Sequence, residues 1–213
     1  MSQPHRLHAE DRRRQLLEAA LNLFSRKGFE GTTTKEIAAG AGVTEAIIFR
    51  HFPTKQALYN AVLCYPHESG ELDAEMARWK ELMDANDHVG LFRAFIGCVI
   101  RGYRCDPRIH RAVLFAALEG HSTGLQQHRE LSLPVFEVLC QFVARRQAAG
   151  AIRSGISSQA IVGSMAGAAA HFAMMTQFFG FQSPASDDDV VEAFLDIFLR
   201  GVLPAAPPAK AIA

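Results

Sequence analysis

The stretch from Thr33 to Lys55, TTKEIAAGAGVTEAIIFRHFPTK, constrains the fold more than any other part of the chain. It encodes two short helices, the turn between them and the start of a third. Thr33 followed three residues later by Glu36 is a capping box, which starts a helix at Thr34. Ile37, Ala38 and Ala41 give that helix one apolar face, and Gly42 supplies the left-handed conformation that ends it. Val43 anchors the turn in the core, and Thr44 is a second N-cap. From Glu45 to Phe52 a second helix turns Ile48 and Phe52 inward. Glu45, Ala46, Ile47, Phe49, Arg50 and His51 are left outward or on the border. Pro53 stops this helix and Thr54 caps the next, whose first residues are Lys55 and Gln56. The spacing is that of a helix-turn-helix.

The outward face of the second helix is not what water selects. A solvated helix carries Lys, Glu and Gln there, whereas this one offers a small residue, a β-branched residue, an aromatic, an arginine and a histidine. Such a face suits the major groove of DNA. Ala46 lets the backbone approach, Ile47 and Phe49 can touch thymine methyls or sugars, and Arg50 can reach guanine edges or phosphate. A helix N-terminus with Lys55 beside it is a phosphate clamp. The predicted DNA-facing set is Thr33, Thr34, Glu45, Ala46, Ile47, Phe49, Arg50, His51, Thr54 and Lys55.

The run RRRQLLEAALNLFSRKGFEGTTTKEIAAGAGV, continued by FRHFPTKQALY, resembles the TetR family of one-component transcriptional regulators over about the first third of the chain. The resemblance implies that Phe49, Arg50 and His51 contact DNA and that Lys55 binds phosphate. It also implies a homodimer, a repressor and an inducer bound among the later helices. Three positions depart from the family pattern. Glu45 stands where lysine is frequent, Ala46 where glycine is common, and Phe49 where tyrosine is usual, which removes one hydroxyl contact to phosphate and alters the operator that would be read.

Charge follows the same division. The chain is formally neutral, but residues 1–65 hold nine Lys and Arg against six Asp and Glu, and the remainder holds thirteen against sixteen. Three arginines, Arg12 to Arg14, at the start of a helix predicted from Asp11 to Lys27 oppose its dipole unless phosphates lie nearby. Cys64, Cys98, Cys105 and Cys140 lack the short paired spacing of a zinc site or disulfide framework and fit a reducing cytoplasm. The reading is therefore a cytoplasmic protein with a flexible arm over 1–10, a helix-turn-helix DNA-binding domain over 11–65, a helical effector-binding and dimerisation domain over 66–203 and a disordered tail over 204–213.

Beyond the motif every segment has helical periodicity and none alternates as a strand does, so the fold is all-α with about nine to ten helices. The fourth helix is expected to end or kink at Pro66. Leu72, Met76, Trp79 and Met83 form one stripe that stops at Asn86. Asp87 caps a helix with Phe92, Phe95, Ile96, Val99, Ile100 and Tyr103 inward, and Asp106 and Pro107 open the next. Residues 120–124 read as a loop, with a helix from Pro134 to Ala149. Trp79, Met83, Phe92, Phe95, Tyr103, Phe115, Glu119, His171 and Met174 either fill a core or line an effector cavity.

The uncharged run over 154–186 contains the GxxxG pattern Gly163 to Gly167 and is long enough to span a bilayer. Its Ala, Gly and Ser content, its Gln159, His171 and Gln177 and its lack of basic flanks argue against that. The expectation is a helix from Ser158 to Phe179, buried on most sides and part of a dimer interface built from Phe136, Leu139, Val143, Gly163, Gly167 and Ala170. A last helix opens on three aspartates, buries Val191, Phe194, Leu195 and Phe198, and ends by Pro204.

No phosphate-cradling loop, GxSxG, HExxH or suggestive carboxylate pair is present, and no enzyme activity, metal or cofactor is expected. Two alternatives stand beside the regulator reading. His171 with Met174 and Met175, or the cysteines, could make it a metal or redox sensor. The helix-turn-helix could instead be an interaction module that never meets DNA, a reading to which Glu45 lends weight because a carboxylate near phosphate is unfavourable.

Overall fold

The computed structural model describes residues 9–68 and 71–203. Ten α-helices, and no strand, occur among the described residues: α1 (Ala9–Lys27), α2 (Thr34–Gly40), α3 (Glu45–His51), α4 (Lys55–Glu68), α5 (Glu71–Asp84), α6 (His88–Cys105), α7 (Pro107–Leu118), α8 (Ser122–Ala148), α9 (Ser158–Phe178) and α10 (Asp187–Val202). The all-α expectation is met. The expected arm and tail lie outside the described residues, except that residues 9 and 10 belong to α1. The Leu72 side chain lies outside them too.

Packing divides the chain differently from the linear split at residue 65. One compact unit joins α1–α4 to α7 and to α8 as far as Leu133; the other joins α5, α6, α8 from Pro134, α9 and α10. In the first unit Leu16, Leu17, Ala20, Leu21 and Phe24 of α1 meet Ile37 of α2, Ile48 of α3, Leu58, Tyr59, Val62 and Leu63 of α4, and Ala112 and Ala116 of α7. The alanines let α7 lie close against α1, and the buried Tyr59 hydroxyl donates to the Ala112 carbonyl at 3.1 Å. Burial, with the Glu119 carboxylate as the lesser cause, pushes the Tyr59 phenol well above its ordinary value, so it stays a donor.

In the second unit α6 lies against α9 and α10. Trp79, Leu91, Phe92, Phe95, Ile96 and Ile100 pack on Leu139, Phe142 and Val143 of α8, Ile161, Val162, Met165 and Ala169 of α9, and Val191 and Leu195 of α10. Ion pairs from Arg93 to Glu192 at 2.5 Å and from Arg104 to Asp187 at 2.6 Å lace α6 to α10 at the surface.

Local signals placed most boundaries. Asp106 accepts from the Arg108 amide with Pro107 in the first turn, and Ser186 forms a capping box with Asp189. Asn86, at φ +57°, takes the left-handed conformation where the α5 pattern was expected to stop.

Several expectations were not met. The first turn of α1 carries Glu10 and Asp11, so the arginines sit one turn in and do not oppose the dipole. Helix α4 does not end at Pro66 but runs on to Glu68, which leaves the kink as the other half of that expectation. Most notably α8 begins at Ser122 and runs through Pro134 without a break, where a loop over 120–124 and a new helix at Pro134 were expected. Proline removes the one N–H that would bond the Glu130 carbonyl, but the turns on either side still hold. Gly124 is a packing residue and not a loop residue, since a Cβ there would stand 2.8 Å from a Leu63 methyl of α4. Helix α9 buries one face only, through Ile161, Val162, Met165, Ala169 and Ala173. No helix among the described residues is long and apolar enough to cross a membrane.

Candidate nucleic-acid interface

The interface is built from the capping box outward. The Thr33 hydroxyl accepts from the Glu36 amide at 3.2 Å while Glu36 accepts from the Thr33 amide at 2.9 Å, and Lys27 reaches the other Glu36 oxygen at 2.7 Å. The Lys27 hydrogen bond first, and the Thr33 backbone after it, pull the Glu36 carboxyl down to about 2 from its ordinary 4.5. Because the folded value is depressed, the contribution of Glu36 to stability is full above 4.5 and fades as pH falls toward about 2. Urea unfolding of the parent and of Glu36→Gln across that interval should show their difference shrink with acid. Thr33→Ala should cost about 1 kcal/mol at neutral pH.

Helix α3 hangs on Ile48, fully buried, and on Phe52 just after it. That anchoring turns Ala46, Phe49 and Arg50 to solvent, with Phe49 44 % exposed, while Glu45, Ile47 and His51 are half-buried at the edges. The turn has Gly42 at φ +63°, and the Gln15 side chain of α1 donates to the Ala41 carbonyl at 2.9 Å. Gln15 was missed in the sequence; its signal was a polar residue facing the motif from a helix otherwise read for its apolar stripe. The Arg13 guanidinium lies 5.4 Å from the Phe52 ring centre.

Three details change how the predicted set reads. Thr44 occupies the N-cap position of α3, but its side chain makes no cap hydrogen bond. Glu45 accepts from the Thr34 hydroxyl at 3.1 Å, which ties α3 to the first turn of α2 and engages two of the predicted contacts with each other. Lys55 lies over the Phe29 ring, its Nζ 4.1 Å from the centroid. Thr54 is the cap expected, accepting from the Ala57 amide at 3.0 Å. All ten predicted residues lie along α2, α3 and the start of α4 in the first unit.

Residues 16–62 match the family described as bacterial regulatory proteins, tetR family. The helix-turn-helix region is thus similar to that of TetR-family regulators. Among curated relatives, the regulator YvkB of Bacillus subtilis is 52 % identical over 50 residues, covering 24 % of this chain and 26 % of its own. TtgR of Pseudomonas putida is 35 % identical over 103 residues, 48 % of each chain. The repressor KstR2 of Mycobacterium tuberculosis is 34 % identical over 74 residues, covering 35 % of this chain and 34 % of its own. The chain thus spans between about a quarter and a half of the length of the curated relatives it matches. The fold likeness extends further. A TetR-family regulator from Mesorhizobium loti superposes with a TM-score of 0.70 at 18 % identity over 93 % of this chain and all of that one. KstR2 superposes at 0.61, with 19 % identity over 92 % of this chain and 97 % of its own.

The residues predicted to form an effector pocket are divided between the two units. Trp79, Phe92 and Phe95 lie in the core of the second unit with Met83 packed against it, and Tyr103 is half-buried with its ring 6.0 Å from that of Phe178. Phe115 and Glu119 belong to the first unit, Met174 is half-buried, and His171 is exposed. Two open clefts, of about 530 and 750 Å³, lie in the first unit, one between α4 and α8, the other beside α1, and none of the nine lines either.

The dimer set divides as well. Leu139 and Val143 are core residues of the second unit and are not free to meet a partner, and Phe136 is half-buried against that core. Gly163 and Gly167 stand beside open space and Ala170 is half-buried. Periodicity identified the apolar face of α8 but not which neighbour covers it.

No group of three or more His, Cys, Asp or Glu side chains among the described residues is placed to hold a metal ion. None of the four cysteines forms a disulfide, and burial pushes the Cys98 thiol up to about 11 and raises Cys140 as well, which keeps both protonated and slow to react.

Proposed function

We propose that this chain is a homodimeric, ligand-responsive DNA-binding transcriptional repressor, released from an inverted-repeat operator by a small, largely apolar effector. The observation that carries the reading is the face of α3, where Ala46, Phe49 and Arg50 are exposed on a helix fixed from behind by Ile48.

Repression is the role named for the relative KstR2. A two-fold dimer would set two such helices into successive major grooves, and an effector favouring another spacing would release them. A hundredfold shift in operator affinity requires only about 2.7 kcal/mol of coupling. In support of an effector in the second unit, the Trp79 indole N–H is buried with no hydrogen-bond partner among the described residues, a donor that an acceptor on a ligand would satisfy. The open stripe at Gly163 and Gly167 supports a close helix contact with a second copy.

The test is fluorescence anisotropy of the purified chain on a duplex enriched from a random-sequence pool, at two salt concentrations, with sedimentation to give stoichiometry. Tight binding that falls steeply with salt, two chains per duplex, is expected. Absent or salt-insensitive binding would leave the interaction-module reading.

A further inference from the structure

We propose that Glu119, at the C-terminal end of α7, is a positioning residue for DNA binding: it fixes Phe29, and through the Phe29 ring it fixes the Lys55 ammonium. The proposal rests on the DNA-binding reading above and adds to it a residue that lies far outside the helix-turn-helix in sequence.

The geometry runs through four side chains of the first unit. Glu119 Oε2 accepts from the Phe29 amide at 2.9 Å, where the chain leaves α1 and turns toward α2. Gly28, just before, has φ +69°, and a Cβ there would collide with the same carboxylate, so the turn admits α7 only because residue 28 is glycine. His121 Nε2 stands 3.3 Å from Glu119 Oε2, close enough for an ion pair when protonated, and its ring meets the Phe29 ring at 4.4 Å between centroids. Tyr59 closes on the same ring at 5.1 Å. Phe29 is thereby held by its amide and by two rings, and Lys55 Nζ rests 4.1 Å from its centroid.

A packing role alone would not call for a carboxylate. An apolar side chain would fill the space beside Phe115 and Gly28, whereas the Glu119 side chain is 21 % exposed and bears the cost of partial desolvation to reach the Phe29 N–H and His121. What the hydrogen bond adds is direction: it fixes the Phe29 backbone so that Tyr59 and His121 can hold its ring, and the ring face sets where the lysine charge sits, at the N-terminus of α4 where an anion is already favoured.

The experiment has two arms on the full chain. The first needs no DNA. With ¹³C-labelled lysine, the Lys55 Cε–Hε signal is expected upfield in the parent through the ring current of Phe29. It is expected unshifted in Phe29→Leu and in Glu119→Ala, and upfield again in Glu119→Gln, which keeps an acceptor for the Phe29 amide. An upfield signal persisting in Glu119→Ala overturns the proposal.

The second arm uses the selected duplex. Glu119→Ala is expected to lower affinity and to reduce the slope of log K against log salt by about one, as Lys55→Ala does. The Glu119→Ala, Lys55→Ala double variant is expected to bind no worse than Lys55→Ala, because both changes remove one contact. Additive losses overturn the proposal. If circular dichroism shows Glu119→Ala unfolded, Phe29→Leu carries the same expectation, and an unchanged salt slope in it overturns the proposal. If the parent binds no duplex, the DNA reading fails, and the lysine signal still decides whether Glu119 positions Lys55.

Discussion

Replacing Arg50 by alanine is expected to lower affinity for the selected duplex by about ten- to a hundredfold, the equivalent of about 1–3 kcal/mol, with the fold intact. Arg50 is exposed on α3, so its truncation should change unfolding stability by no more than about 0.5 kcal/mol. Lys55→Ala should behave differently in kind. A phosphate contact carries no sequence information, so its loss should weaken binding about equally on every duplex, whereas loss of Arg50 should also relax discrimination at one base position. Lys55→Ala should also cost the cation–π contact with Phe29, about 0.5–1 kcal/mol of stability. Anisotropy on the selected duplex and on single-base variants separates the two. If neither variant moves the affinity while both fold, the α3 face does not read DNA.

The second large effect is on the other unit. Trp79→Ala is expected to destabilise the chain by about 3–5 kcal/mol, measured as a loss of free energy in urea unfolding followed by circular dichroism. Trp79 is 2 % exposed and meets Phe95 edge to face at 5.6 Å, so its removal leaves a hole among Phe92, Phe95 and Ile96. Trp79→Phe should cost much less. It keeps a ring in the space and discards a buried N–H with no partner among the described residues, a group that itself costs about 1–3 kcal/mol. A small loss in the alanine variant would mean that the indole borders empty space and lines a cavity instead of filling a core.

What could be read from the sequence was what short range decides. Thr33 with Glu36 and Asp106 with Pro107 announce helix starts through bonds that span two or three residues, and the structure has both. Ile48 and Phe52 had to face inward because any other rotation of a seven-residue helix would expose them. Gly124 and Pro134 were misread for the complementary reason. Each is a breaker by local propensity, and each is overridden, one by the nearness of Leu63 and the other by a helix long enough to lose one bond. For Leu139 and Val143 the pattern showed an apolar face correctly and could not say whether the same chain or another would cover it. Glu119 illustrates the limit most clearly. Its part in the first unit depends on Phe29, ninety positions away, and no window on either side of it holds that information.

The placement of α7 against α1 also bears on how the molecule is made. Residues 16–62, the portion matched as a family, are not self-contained in packing, because Ala112, Ala116 and Glu119 complete their interior and their first turn. During synthesis α3 leaves the ribosome early and must wait, with the α1 face that meets α7 still uncovered, until α5, α6 and α7 have followed it out. A nascent chain of this kind therefore passes through a stage in which α3 exists without its full backing, and the interior of the first unit closes late, with a segment distant in sequence.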